Sequence, residues 1–227
     1  MQVYKNLTII GTSHIAPESM KEVKETIVSR KPGLIALELD GGRFIAMHQK
    51  RKQKISIAMI RGLGIRGFLF NVFGAWVETK LGRMVGVKPG SEMMAAARLA
   101  KELDIHIALI DRDIRITIKR LLKAITWKER WHFIADIFKG IFTAKKQLQM
   151  FDLRKVPPEK LIEQLLQKTK ERYPSFYRVL VTERDSYMAK ALNKLLIDYP
   201  NIEIIAVVGA GHEKSIINRI RRMQHGV

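Results

Sequence analysis

The chain has 227 residues and is 47% hydrophobic, enough for one large domain with a sizeable core and too apolar for wholesale disorder. It has no cysteine, which excludes disulfides and thiolate metal sites; a metal would have to be held by His, carboxylate or water. Lys and Arg number 41 against 22 Asp and Glu, a formal charge of +19 that attracts nucleic acid or an anionic membrane surface, unless the basic surface has no specific partner.

The opening MQVYKNLTII lacks the basic region, apolar run and cleavage site of a signal peptide. Residues 7–11 (LTIIG) read as a strand, rich in Ile and bounded by charge and turn residues. Pro17 can begin a helix that runs from Glu18 to about Ser29. Residues 34–39 (LIALEL) form a second near-continuous apolar run. The stretch 44–86 is long, basic and mostly helical in pattern, and its most apolar part, ISIAMIRGLGIRGFLFNVFGAWV, is broken by Arg61 and Arg66. It therefore falls short of the roughly 20 apolar residues that span a bilayer. After Pro89-Gly90-Ser91, EMMAAARLAKEL is a run of strong helix formers. Residues 105–110 (IHIALI) give a third strand, and 114–170 a second long basic helical stretch. Residues 202–208 (IEIIAVV) give the fourth strand, followed by a helix with Ile216, Ile217 and Ile220 on one face. Strands alternating with helices predict an α/β fold: a central, mostly parallel sheet in one domain over 1–227, with helical insertions at about 44–86 and 114–170.

In a parallel sheet all strands end on one edge, and ligands bind in the crevice above it. The first and last strands here both end in Gly-x-x-His: Gly11 with His14, and Gly209 with His212. The glycines permit turns and close approach that a Cβ would hinder. Glu38 lies at the end of the run 34–39 and is followed by Asp40 and Arg43; Asp111, Arg112 and Asp113 follow the strand at 105–110. Two imidazoles and a carboxylate (His14, His212, Glu38) are a usual ligand set for a divalent metal that activates water. Without metal, a His–Glu pair does general acid–base work. Against this, a Gly at a strand-to-helix turn is common and Glu38 with Arg43 could be only a structural ion pair.

The group Thr182-Glu183-Arg184-Asp185 has two readings. Either Asp185 caps a helix starting there, or the helix starts at Pro174 and the charges lie mid-helix, needing partners such as Arg43 or Arg112. The remaining histidines are weaker candidates: His48 in the basic run MHQKRKQK, His106 inside a strand as a buried histidine, His132 between Trp131 and Phe133, and His225 in a frayed terminus. There is no dinucleotide fingerprint after the first strand, no P-loop and no nucleophile elbow.

The ordered set GTSHIAPES, LIALELDGGR, PGSEMMAAARLA, LIDRDIRITIKR, VTERDSYMAKAL and VVGAGHEKSI resembles the TraB/PrgY (pheromone shutdown) family across nearly the whole chain. The resemblance implies membership of a group with the Tiki proteases, the erythromycin esterases and the haem-binding ChaN-like proteins, and their α/β fold. It also implies a metal-dependent hydrolase site, a peptidase in the Tiki-like relatives, at Gly11, His14, Glu38, Arg43, Gly209 and His212, with Arg112, Glu183 and Arg184 as further members. The divalent ion stays open, because esterase relatives open a lactone apparently without one. The expected substrate is a peptide or small molecule; the competing reading is a protein that sequesters a peptide or docks on anionic lipid without turnover. Specific nucleic-acid binding is not expected, because the basic residues are spread over many segments and no reading motif is present. Archaeal relatives carry a membrane region after the domain that these 227 residues lack, so the expected location is cytoplasmic or membrane-associated. The excess cations are expected on the inserted helices, at Lys50, Arg51, Lys52, Lys54, Arg61 and Arg66 and from Arg120 through Lys146, beside Phe68, Phe70, Phe73, Trp76, Trp127 and Trp131. That pairing suits an anionic bilayer; the alternative is that the aromatics form core or a homodimer interface.

Overall fold

Four apolar runs become the parallel strands of a mixed five-stranded sheet, in the order β1-β2-β5-β3-β4. The structure is a computed structural model that describes residues 1–12, 17–48, 90–133, 135–136 and 159–226. The strands are β1 (Gln2–Tyr4), β2 (Leu7–Thr12), β3 (Leu34–Leu37), β4 (His106–Leu109) and β5 (Ile204–Gly209). The described helices are α1 (Pro17–Arg30), α2 (Gly41–His48), α3 (Ser91–Glu102), α4 (Ile114–Ala124), α5 (127–133), α6 (Glu159–Arg172), α7 (Pro174–Tyr177), α8 (Glu183–Asp198) and α9 (Glu213–His225).

Parallel pairing sets Leu7 and Leu34 both opposite Ile204, and Leu34 opposite His106, so β2, β5, β3 and β4 end on a common edge. Alternation along each strand divides the core in two. Leu7, Ile9, Leu34, Ala36, Ile204, Ala206 and Val208 face α8 and α9, meeting Met188, Leu192, Ile216 and Ile220. Ile10, Ile35, Leu37, Ile205 and Val207 face the other way, against Val23 and Ile27 of α1 and Met93, Ala96, Ala97 and Ala100 of α3. The small alanines let α3 lie close to both the sheet and α1, which it packs against.

Three features differ from the sequence reading. Strand β1 pairs antiparallel with β2 through a turn at Lys5, whose φ is 51°; three residues are too few to show a strand period. Strand β4 lies at the sheet edge, with His106 exposed and Leu109 37% exposed, so it is not buried on both faces and His106 is not a core histidine. His225 is the last residue of α9 rather than part of a frayed end, and its ring stands edge-on to Tyr4 with centroids 6.4 Å apart. The insertions are helical where described, in α2, α4, α5 and α6; His14 and residues 49–89 and 137–158 lie outside the described residues. Among the described residues, no helix is long and apolar enough to cross a membrane.

A candidate charged site at the carboxyl edge of the sheet

The segment from Pro174 to Asp198 settles the question of the mid-chain charges. Helix α7 continues through a π-helical turn, Arg178–Thr182, directly into α8, so Glu183, Arg184 and Asp185 lie mid-helix rather than at a cap. The wide turn is closed by the Glu183 N–H bonding to the Arg178 carbonyl. Such turns recur in helices at functional sites. Buried charges need partners, and all three residues have them.

Arg184 is the centre. Its Nη2 donates to Glu38 Oε1 and, at 2.7 Å, to Asp111 Oδ2, while its Nε lies 3.2 Å from Asp111 Oδ1. Thus one guanidinium joins the ends of β3 and β4 to α8, with both carboxylates buried. Glu38 Oε2 also accepts the Gly209 N–H at 2.6 Å, tying β3 to the end of β5. Burial alone would lower the Arg184 pKa, but Glu38 and Asp111 outweigh it and hold the side chain firmly cationic.

His212 opens α9 after a tight turn in which its N–H donates to the Gly209 carbonyl at 2.8 Å. Its Nδ1 is 2.5 Å from Asp185 Oδ1, and its Nε2 lies 3.4 Å from Arg184 Nη1 and 3.6 Å from Glu38 Oε1. Burial pushes the imidazole pKa down; Glu38 and the bond to Asp185 push it up by more, so it stands above the ordinary histidine value.

The outer cations differ in freedom. Arg112 is committed to Glu183, at 3.5 Å, and to Thr117 Oγ1, at 3.3 Å. Glu183 is held also by Arg120 Nε at 2.6 Å, and that bond, with Arg112 beside it, lowers its pKa against the effect of burial. Arg43 is looser: its Nη1 is 3.7 Å from Asp111 Oδ2 and its side chain is 36% exposed. Asp40 Oδ1 caps α2 by accepting the Arg43 N–H at 3.0 Å, and its Oδ2 is buried with no hydrogen-bond partner among the described residues.

Glu38, Arg184, Gly209 and His212 therefore share one cluster, with Arg43, Arg112 and Glu183 around it. Gly11 does not make a turn: it lies inside β2 opposite Val208. Its missing Cβ leaves room for Glu213 Oε2, which a Cβ would meet at 2.2 Å. Beside the cluster lies a cavity of about 560 Å³ bounded in part by Gly11, Tyr177, Asp185, Gly211 and Glu213. The sequence places Asp111 at the rim and Asp185 among charges needing partners, but gives neither a role of its own in the site. Asp185 was readable only through its partner His212, 27 residues away and on another helix.

The described donors do not by themselves fit a divalent metal. Glu38 Oε1 and His212 Nε2, 3.6 Å apart, could both ligate one ion, but the Arg184 guanidinium already stands against both atoms. Among the described residues no three His, Asp or Glu side chains group as a metal site.

The fold is a three-layer α/β sandwich whose charged site crowns the parallel strand ends. The TraB/PrgY/gumN family pattern matches residues 4–225, and the chain belongs to that family. Relatives include an uncharacterised protein of Methanocaldococcus jannaschii, 33% identical over 97% of this chain and 55% of its own. TraB domain-containing proteins of Bos taurus and Homo sapiens are 23% and 22% identical over 92% of this chain, covering 60% and 61% of theirs. The chain thus spans somewhat over half the length of these relatives.

Proposed function

We propose that the cluster is a hydrolytic site acting on an acyl bond of a peptide or small molecule. The observation that carries this reading is the placement of His212: Nδ1 fixed by Asp185, which itself lines a cavity at the strand ends, and Nε2 turned toward Glu38 and Arg184. An oriented imidazole of this kind takes a proton from water and returns it to a leaving group. Asp185 holds the ring and favours its charged form. Arg184 is saturated by Glu38 and Asp111, so its role is to fix the carboxylates. Arg43, the least committed cation, is the one suited to an oxyanion; Arg112 is not, because Glu183 and Thr117 already hold it.

A screen with fluorogenic peptides and p-nitrophenyl esters tests this. The chain should turn over members of one class. His212→Asn should remove activity by 100-fold or more, about the value of a general base, when assayed well below the variant's own thermal midpoint. Arg43→Ala should lower kcat by about 100- to 1000-fold, as loss of an oxyanion donor does. Equal activity in His212→Asn would place the chemistry elsewhere. The divalent ion that the family resemblance implies is tested in the same assay by chelation and re-addition of Zn²⁺ or Mn²⁺. A strict requirement would mean that Arg184 yields its place beside Glu38 and His212.

A further inference from the structure

Helix α5 carries two large rings that the fold leaves outside. Trp127 is 73% exposed and Trp131 66%. Four positions apart, they share one helix face. The opposite side is firmly fastened. Glu129, 2% exposed, closes a capping box with Thr126 (Glu129 Oε2 to Thr126 N, 2.8 Å) and accepts the Ser175 N–H of α7 at 2.6 Å. Asp136, just beyond α5, is gripped by Arg172 of α6 and by Tyr173 Oη at 2.6 Å. The tryptophans are therefore outside because the helix is pinned by its other face.

Their surroundings are cationic. Arg130 stacks over the Trp127 ring, 5.0 Å from its centroid. The exposed face of α4, just before them in the chain, presents Ile116, Lys119, Arg120 and Lys123. From Ile114 to Phe133 there are six Lys or Arg (Arg115, Lys119, Arg120, Lys123, Lys128, Arg130) and one acid, the buried Glu129; Arg115 and Arg120 are ion-paired with Asp113 and Glu183. An isolated exposed indole needs no explanation; a pair with an exposed Ile among cations does.

We propose that the α4–α5 surface docks on an anionic lipid bilayer, with Trp127 and Trp131 in the headgroup layer and the Lys and Arg on lipid phosphates. Indoles favour that layer because one end is apolar and the N–H stays wet. Clustered cations are drawn to anionic lipid, each adding to the attraction. A second copy of the chain fits less well, because two faces that each carry Lys119, Lys123, Lys128 and Arg130 would meet. Single-stranded nucleic acid could stack on the indoles, but it gives the exposed Ile116 nothing to do. Arg120 also bonds Glu183 at 2.6 Å, so this surface adjoins the charged site.

Vesicle co-sedimentation tests this with the whole chain. It should pellet with vesicles of 30% phosphatidylglycerol in phosphatidylcholine, weaken with salt, and stay in solution with phosphatidylcholine alone. Trp127→Ala with Trp131→Ala should cut binding about tenfold or more, as should Lys119→Glu with Lys123→Glu; the second pair keeps the test valid if the first does not fold. Binding to both vesicle types alike, binding to neither, or full retention in both variants overturns the proposal. So does displacement from vesicles by an equimolar single-stranded oligonucleotide, or a change of oligomeric state in the Trp variant with vesicle binding intact.

Discussion

At the residue scale, Arg184 decides most. Its Nη2 serves Glu38 and Asp111, which are 4% and 7% exposed, so removing it takes the shared cation from two buried carboxylates. Breaking such a network by deleting one partner costs about 3–5 kcal/mol. Arg184→Ala should lose that much in urea denaturation, and Arg184→Lys should recover only part, because one ammonium cannot reproduce the fork. Glu38 behaves similarly: it bonds both Arg184 and Gly209 N, so Glu38→Gln should weaken the fold. Although it stands at a strand end, Glu38 is a buried tie between β3 and β5. His212 gives a pH signature. Its folded pKa is raised, so the bonds of its charged form contribute stability fully below the unfolded value of about 6.5. That contribution fades as pH rises through the folded pKa. The stability gap between the native chain and His212→Asn should therefore narrow on the alkaline side. A gap constant from pH 5 to 9 would remove the charged pair with Asp185.

At the element scale, the strands were legible because buried parallel strands are continuously apolar, as in IEIIAVV. β1 was not, being three residues long, and the edge position of β4 was not, because strand order leaves no local trace. Among the site residues, Glu38 and His212 could be found from their strand ends alone. Asp185 could not: which way it faces depends on the π-turn at Arg178–Thr182, and nothing in the sequence RVLVT marks that turn. Helix α8 is held down by Met188 and Leu192, both fully buried under the sheet. Leu192→Ala should cost about 2–5 kcal/mol through the cavity it leaves. It should leave the His212 titration unchanged in NMR, because Leu192 lies two turns beyond Asp185. A shifted titration would mean that the site follows core packing rather than its own ion pairs.

At the scale of the whole molecule, the carboxyl edge of the sheet gathers residues from β3, β4, β5, α8 and α9 into one charged cluster, in a chain whose formal charge is +19. Such a field draws anionic partners, and its reach falls with ionic strength over a Debye length of about 8 Å at physiological salt. The central claim is that His212, oriented by Asp185, performs acid–base chemistry at this edge. The most direct measurement is kcat/KM against pH, on the ester or peptide that the screen selects, for the native chain and Asp185→Asn. The native profile should rise with an apparent pKa above 6.5, since the base must lose a proton that Glu38 and Asp185 retain. Asp185→Asn should move that rise to lower pH and reduce the plateau. A profile identical in position and height in Asp185→Asn would contradict the account.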